Sequence, residues 1–558
     1  MGANKWLGQT IGLNHLTSGP FAPNARNYGI TMIKIEIKQL LEIAEKEKEV
    51  NIIDLFRLEP GRIKSFSIDS KEIYFDYSKN QLTFDTYSKL IDFANADYFK
   101  NNIRKMYDGE KINHTENRKA LHYLLRSHEK KLSPHVETEK RLVKEQLSQL
   151  SEVVSEIKNK KSIGNDERFF SNVLVIGIGG SHLGPELVSK ALLDYHDKPF
   201  IMKFLVNADP AEFRTTIDGL DAKKTLVIVI SKSMTTNETI LNLAAVKEWF
   251  LSQGINNLEF GNHVITVSNN ETLNNIEVKP FKMLSFEDWV GGRYSLWSSV
   301  GLPIALQIGF PNFVKLLDGA AKIDEIFLKN ETRNNIPKIL ALIAFWNSRC
   351  LGKSSYAVIP YDTRLNLLPQ YLQQLEMESN GKSINSDGQD IIGHTAPLTW
   401  GGIGTSSQHA VFQFLHQSTH KIPVDFIVSM DSSKDYPDHQ RNQIANCIAQ
   451  SEALMIGNKN RIDKIKDPHK FLSGNVPSNT IILKKLDPYS LGSLLAIYEH
   501  KTFFLSLIFS INAFDQWGVE DGKLLAKKIE SDIKHKKIST HDPSTEKLIS
   551  MFIKSNER

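Results

Sequence analysis

Cysteine is nearly missing from this 558-residue chain. Cys350 and Cys447 each sit in an apolar helical pattern, without a second thiol or a histidine at ligand spacing. That excludes a disulfide framework, argues against a structural zinc site and predicts a reducing compartment. Long apolar runs are also missing. No run of 18 apolar residues exists, and the N-terminal MGANKWLGQTIGLNHLTSG has no basic region followed by an apolar one, so the chain reads as cytoplasmic, with no membrane contact. Charge of one sign is lacking too. With 68 basic and 64 acidic residues, the formal net charge of +4 leaves no electrostatic footprint for nucleic acid or a membrane surface. Any anion must be bound locally.

What is present is a globular composition, 41% hydrophobic and 24% charged, long enough for two or three domains. Residues 1–32 are rich in Gly, Asn and Pro without a sustained period and read as an N-terminal arm. Residues 33–140 read as a helical cap. At Val173 the pattern turns to β: VLVIGI, FIMKFLV from Phe200, TLVIVI from Thr225 and HVITV from His263 are short apolar runs separated by helical stretches. A second alternation places strands at SSYAVIP, PVDFIV and NTIIL. Continuous apolar strands alternating with helices mark parallel sheets covered on both faces. The expected fold is therefore α/β with two doubly wound, mainly parallel sheets, a small domain over 141–305, a large one over 306–512 and a C-terminal helical arm over 513–558.

Two strand-to-helix loops carry phosphate chemistry. Gly177-Ile-Gly-Gly-Ser-His-Leu-Gly184 closes VLVIGI, and its glycines permit close backbone approach ahead of a helix with free N–H groups. It is not the dinucleotide fingerprint, whose third glycine falls at His182. Ser231-Lys-Ser-Met-Thr-Thr-Asn-Glu-Thr239 closes TLVIVI, and its hydroxyls suit either helix capping or the oxygens of a phosphate monoester. Three further segments stand out. Val290-Gly-Gly-Arg-Tyr-Ser-Leu-Trp297 presents Arg293 behind two glycines, suited to an oxyanion. In Gly404-Thr-Ser-Ser-Gln-His409 the histidine is expected in the first turn of a helix, where the positive dipole end keeps it neutral. Asp515-Gln-Trp-Gly-Val-Glu-Asp-Gly-Lys523 ends in a lysine after a glycine turn. In YLQQLEMESNGKS, residues 371–383, Glu376 and Glu378 lie about 200° apart on a helix, so only one can face a given pocket. Residue types alone leave the choice open.

In this order the segments resemble the glucose-6-phosphate isomerase (phosphoglucose isomerase) family and its sugar-isomerase fold, over Gly177 to Lys523. The resemblance implies reversible isomerisation of D-glucose 6-phosphate and D-fructose 6-phosphate, in glycolysis and gluconeogenesis, through a cis-enediolate. It makes Glu378 the base and Glu376 the solvated acid, gives Arg293 the enediolate charge, and assigns ring opening to His409 and Lys523. Gly180, Ser181, Ser231, Lys232, Ser233, Thr236, Gly292, Gln374 and Gln516 would bind the sugar phosphate. It further implies no metal or other cofactor and a homodimer whose histidine is lent by the neighbouring subunit. Lys382 is expected in solvent. This chain departs from the family pattern at His182, Ser233, Met234, Asn237, Ser406-Ser407 and Asp521 without losing a reacting group. A mannose 6-phosphate isomerase and a non-catalytic sugar-phosphate sensor are the alternatives.

Overall fold

A computed structural model describes residues 25–127, 133–159, 170–197, 200–269, 278–431 and 435–555. Its strands are β1 Ser67–Asp69, β2 Ile73–Asp76, β3 Asn172–Ile176, β4 Ile201–Leu205, β5 Thr225–Ile230, β6 Val264–Val267, β7 Lys282–Leu284, β8 Ser355–Pro360, β9 Leu398–Gly401, β10 Val424–Ser429 and β11 Ser478–Leu483. All seven apolar runs read from the sequence are strands. The small sheet has the order β4-β3-β5-β6-β7 and is parallel throughout. The larger one, β1-β2-β11-β10-β8-β9, is parallel from β11 to β9 and antiparallel at its other edge. That edge corrects the expectation of a purely helical cap, because β1 and β2 come from the stretch assigned to it. At three and four residues they are too short to show a period.

The N-terminal expectation also shifts. Residues 1–24 lie outside those described, but the helix Ala25–Glu47 starts ahead of the expected Ile33. No helix among the described residues is long and apolar enough to cross a membrane. Both thiols are free and buried.

The large layer is built around the helix Pro488–Ile508, in which every residue except Tyr489 is buried. It presses closely on the helix Phe310–Lys329 because glycines face backbone at two places. A Cβ on Gly319 would fall on the Tyr489 carbonyl, and one on Gly492 would fall on the Leu316 carbonyl. Ser493 Oγ fastens the contact by donating to the Gly319 carbonyl at 2.9 Å. Glu499, His500 and Lys501 are buried in the middle of this helix, so each must be paired. Glu499 accepts from Arg126 Nη1 at 2.5 Å and from the Trp297 indole at 2.7 Å, while Asp324 takes Arg126 on two nitrogens and meets His500 Nε2 at 2.6 Å. The charged helix Glu137–Lys158 is solvated on one face only. Val143, Leu150, Val153, Val154 and Ile157 form its buried stripe.

Gly492→Val should force the two helices apart, and overpacking of this kind costs about 1–3 kcal/mol. A lower midpoint in urea denaturation is the expected result, and an unchanged midpoint would contradict the close contact.

Candidate active site

The chain's topology creates the crevice. From β3 the chain crosses to β4 on one side and then returns to β5 on the other, so β3 and β5 are adjacent and parallel with opposed exits. A switch of this kind leaves a gap beyond the carboxyl ends of the two strands. The glycine loop leaves β3 there and the hydroxyl loop leaves β5. They touch at once, since a Cβ on Gly177 would lie 3.2 Å from the Ile230 carbonyl.

The glycine loop makes a 3-10 turn over Gly179–Ser181, and no side chain caps the helix Leu183–Ala191 that follows. In the hydroxyl loop Thr236 precedes the helix Asn237–Ser252 without making a side-chain cap. Capping therefore does not account for Thr236, and this helix presents uncapped N–H groups to the crevice. The loop is strained at one point. Met234 takes φ +49°, rare for a side-chain-bearing residue, with its N–H donating to Ser231 Oγ at 3.2 Å and its side chain buried in the small-sheet core. Ser233 and Thr235 hydroxyls are 2.7 Å apart. Lys232 turns elsewhere. Its ammonium donates to the Asp288 carbonyl at 2.7 Å and the Val290 carbonyl at 3.1 Å, which pins the hydroxyl loop to the segment ahead of Arg293. Burial lowers the Lys232 pKa, partly offset by the nearby Asp288 carboxylate.

Two more segments meet the glycine loop. Gly180 has no room for a side chain because the Gly292 carbonyl occupies that position, and Gln374 Nε2 lies 3.0 Å from where a Cβ on Gly179 would be. Behind Gly292, Arg293 is 3% exposed and fully engaged. Nε donates to Ser379 Oγ at 2.6 Å, Nη1 to Gln516 Oε1 at 3.0 Å, and Nη2 to the Ala513 and Asp515 carbonyls at 2.6 and 3.1 Å. Nη1 also lies 3.5 Å from Glu378 Oε2. Glu378 ends a π-helical turn, Gln373–Glu378, a distortion that recurs at functional sites. Its side chain keeps 24% exposure, so it is both reachable and beside a fixed cation.

Glu376 is not solvated, contrary to expectation. It is 2% exposed and accepts from Lys501 Nζ at 2.7 Å and Thr399 Oγ1 at 3.3 Å. Burial raises its pKa, against the pull of Lys501. The two glutamates do face different ways, Glu376 into the core and Glu378 towards Arg293 with part of its side chain open. Lys501 in turn lies 4.3 Å from the Tyr356 ring centroid, and the Tyr356 and Tyr498 hydroxyls both donate to Asp425. Lys382 is not in solvent either. It donates to the carbonyls of Glu378 and Ser379 and pairs with Asp515.

His409 and Lys523 are not brought in. His409 is the C-cap of the five-residue helix Gly404–Gln408 and is exposed, two residues ahead of the N-cap Val411 of the helix Phe412–Gln417, so it lies outside the first turn expected for it. Lys523 is exposed on the helix Glu520–His535 and pairs with Glu520 at 2.8 Å. Among the described residues no hydrogen bond or ion pair links either to Glu378 or Arg293. Sequence reading passed over Ser379 and Asp515, which hold Arg293 and Lys382. A buried serine or aspartate leaves no hydropathy signal that sets it apart from a loop residue.

Residues 76–549 match the family model of phosphoglucose isomerase. The chain belongs to the phosphoglucose isomerase family. It is 40% identical over 523 residues to the glucose-6-phosphate isomerase of Pseudomonas fluorescens strain Pf0-1, covering 90% of this chain and 94% of the relative. Identity to glucose-6-phosphate isomerase 1 of Neisseria meningitidis serogroup A is 38% over 534 residues, 92% of this chain and 97% of that one. The crystal structure of a glucose-6-phosphate isomerase from Chlamydia trachomatis superposes with a TM-score of 0.83 at 30% identity, over 93% of this chain and 98% of that chain. The family match thus covers the small sheet, the parallel strands of the larger one and every segment of the crevice.

Lys501→Met would leave the Glu376 carboxylate without its cationic partner, and breaking a buried pair costs about 3–5 kcal/mol. Because burial already raises the Glu376 pKa, the cost should be full well above the usual glutamate range and shrink as the pH falls and the acid becomes neutral. Urea midpoints across pH check this. A deficit independent of pH would contradict it.

Proposed function

We propose that this phosphoglucose isomerase interconverts D-glucose 6-phosphate and D-fructose 6-phosphate with Glu378 as the proton carrier, serving glycolysis and gluconeogenesis in the cytoplasm. The observation that carries the reading is the Arg293–Glu378 pair, set beside two loops that leave adjacent parallel strands. The phosphate lies against the backbone of Gly180 and Ser181 and the hydroxyls of Ser231, Ser233 and Thr236, in the field of the uncapped helix ends. Lys232, engaged with carbonyls, contributes by fixing the loop. Glu378 removes the proton from C2 and returns it to C1 on the same face, so one carboxylate serves both carbons. Negative charge builds on the enediolate oxygens next to Arg293, whose guanidinium is already oriented by four acceptors and needs no rearrangement. Gln374 and Gln516 line the sugar, Gln374 beside the glycine loop and Gln516 on the guanidinium.

His409 and Lys523 open the sugar ring in this reading, and the exposed His409, which among the described residues has no hydrogen bond or ion pair to Glu378 or Arg293, fits a histidine lent by a second copy. The C-terminal arm supports the same conclusion. Its helices Glu520–His535 and Pro543–Ser555 expose Leu524, Leu525, Leu548, Met551 and Phe552, an apolar surface suited to burial on the other subunit of a homodimer. A sensor would have no use for the buried guanidinium aimed at a reachable carboxylate.

Glu378→Gln should reduce kcat by about 10²–10⁴ in a coupled assay. Activity within about tenfold of the parent would remove Glu378 from the role of base, and a kcat/KM favouring mannose 6-phosphate in the parent would overturn the substrate. For the shared site, inactive Glu378→Gln and His409→Ala proteins should regain activity when unfolded and refolded together, since one site of the hybrid has both groups intact. No recovery would mean that His409 acts within its own chain or not at all.

A further inference from the structure

We propose that Lys382 is a positioning residue of the isomerase site, fastening the turn that carries Glu378 to the segment that carries Gln516. This inference rests on the reading of Glu378 as the base. Five oxygens surround the ammonium: the carbonyls of Glu378 at 3.1 Å, Ser379 at 2.7 Å, Asn512 at 3.0 Å and Asp515 at 3.2 Å, and Asp515 Oδ1 at 3.1 Å. Two belong to the end of the base's own helical turn, where carbonyls lack helical partners and a cation is favoured. The other three belong to the segment just before Gln516.

The Asp515 carbonyl links the two cations. It accepts from Lys382 Nζ and from Arg293 Nη2, so one peptide group is held by the clamp and by the guanidinium that faces Glu378. The Asp515 carboxylate is itself fixed, accepting from Thr115 Oγ1 at 2.5 Å and Asn512 Nδ2 at 2.8 Å. Movement of this segment would therefore shift Arg293 and Gln516 relative to the base. Ser379 ties the same parts from the other side, with Oγ on Arg293 Nε and its carbonyl on Lys382. Burial lowers the Lys382 pKa, partly offset by Asp515, while Arg293 opposes and Glu378 favours its charge. A lysine that only served solubility would not be placed where burial works against its charge.

The test compares Lys382→Met, Lys382→Arg and Glu378→Gln in the full-length enzyme, with glucose 6-phosphate carrying protium or deuterium at C2. Lys382→Met should lose about 10- to 100-fold in kcat, as expected for a base displaced by a fraction of an ångström to an ångström. KM should stay within about threefold, because the phosphate loops are untouched. The deuterium isotope effect should rise above that of the parent as proton transfer becomes slower, and Lys382→Arg, which keeps charge and donors, should recover most of kcat. The proposal is overturned if Lys382→Met keeps the parent kcat and isotope effect, or if Lys382→Arg is as impaired as Lys382→Met. Retained activity in Glu378→Gln would instead overturn the underlying assignment of the base, so the two failures are separable.

Discussion

The guanidinium of Arg293 is the interaction on which the site depends. It is buried, always charged and satisfied by Ser379, Gln516 and two carbonyls, and it joins the Glu378 turn to the C-terminal segment. Its neighbour Gly292 fits against Gly180, so the arginine is also locked to the glycine loop. Segments separated by hundreds of residues thus converge on a cation that cannot lose its proton. Leaving such a charge unpaired in the interior would be costly, which couples correct folding to correct assembly of the site.

A second constraint lies beneath the first. The helix Pro488–Ile508 carries three consecutive ionisable residues through the core, and one of them, Lys501, neutralises Glu376 directly behind the turn that ends in Glu378. Neighbouring glutamates in one short segment therefore have different environments. Glu376 is dry and committed to a lysine, whereas Glu378 retains access and lies beside the Arg293 guanidinium. The distinction between an anchoring and a reacting carboxylate is made by what each faces, not by residue type.

Much of this was legible in the sequence where physics acts locally. Apolar runs marked seven of the eleven strands among the described residues, glycine and hydroxyl clusters marked the two loops, and the order of motifs pointed to the family. What was not legible depends on contacts between distant segments. Strands β1 and β2 are too short for a period; β2 is held by the edge of β11 and β1 by β2. Glu376 and Lys382 look like surface charges until the segments that cover them, around Lys501 and Asp515, are placed. His409 was expected in the first turn of the apolar helix that follows it, but that helix begins only at Phe412, and His409 instead ends the short helix Gly404–Gln408.

The central claim is that one carboxylate carries a proton between adjacent carbons. The most direct measurement follows deuterium from C2 of glucose 6-phosphate during a single conversion in ordinary water. Partial transfer to C1 of fructose 6-phosphate, with the remainder exchanged into solvent, is the predicted result, because a carboxylic acid formed at Glu378 can return its deuteron or trade it. Complete retention at C1, the mark of a direct hydride shift, would contradict the account.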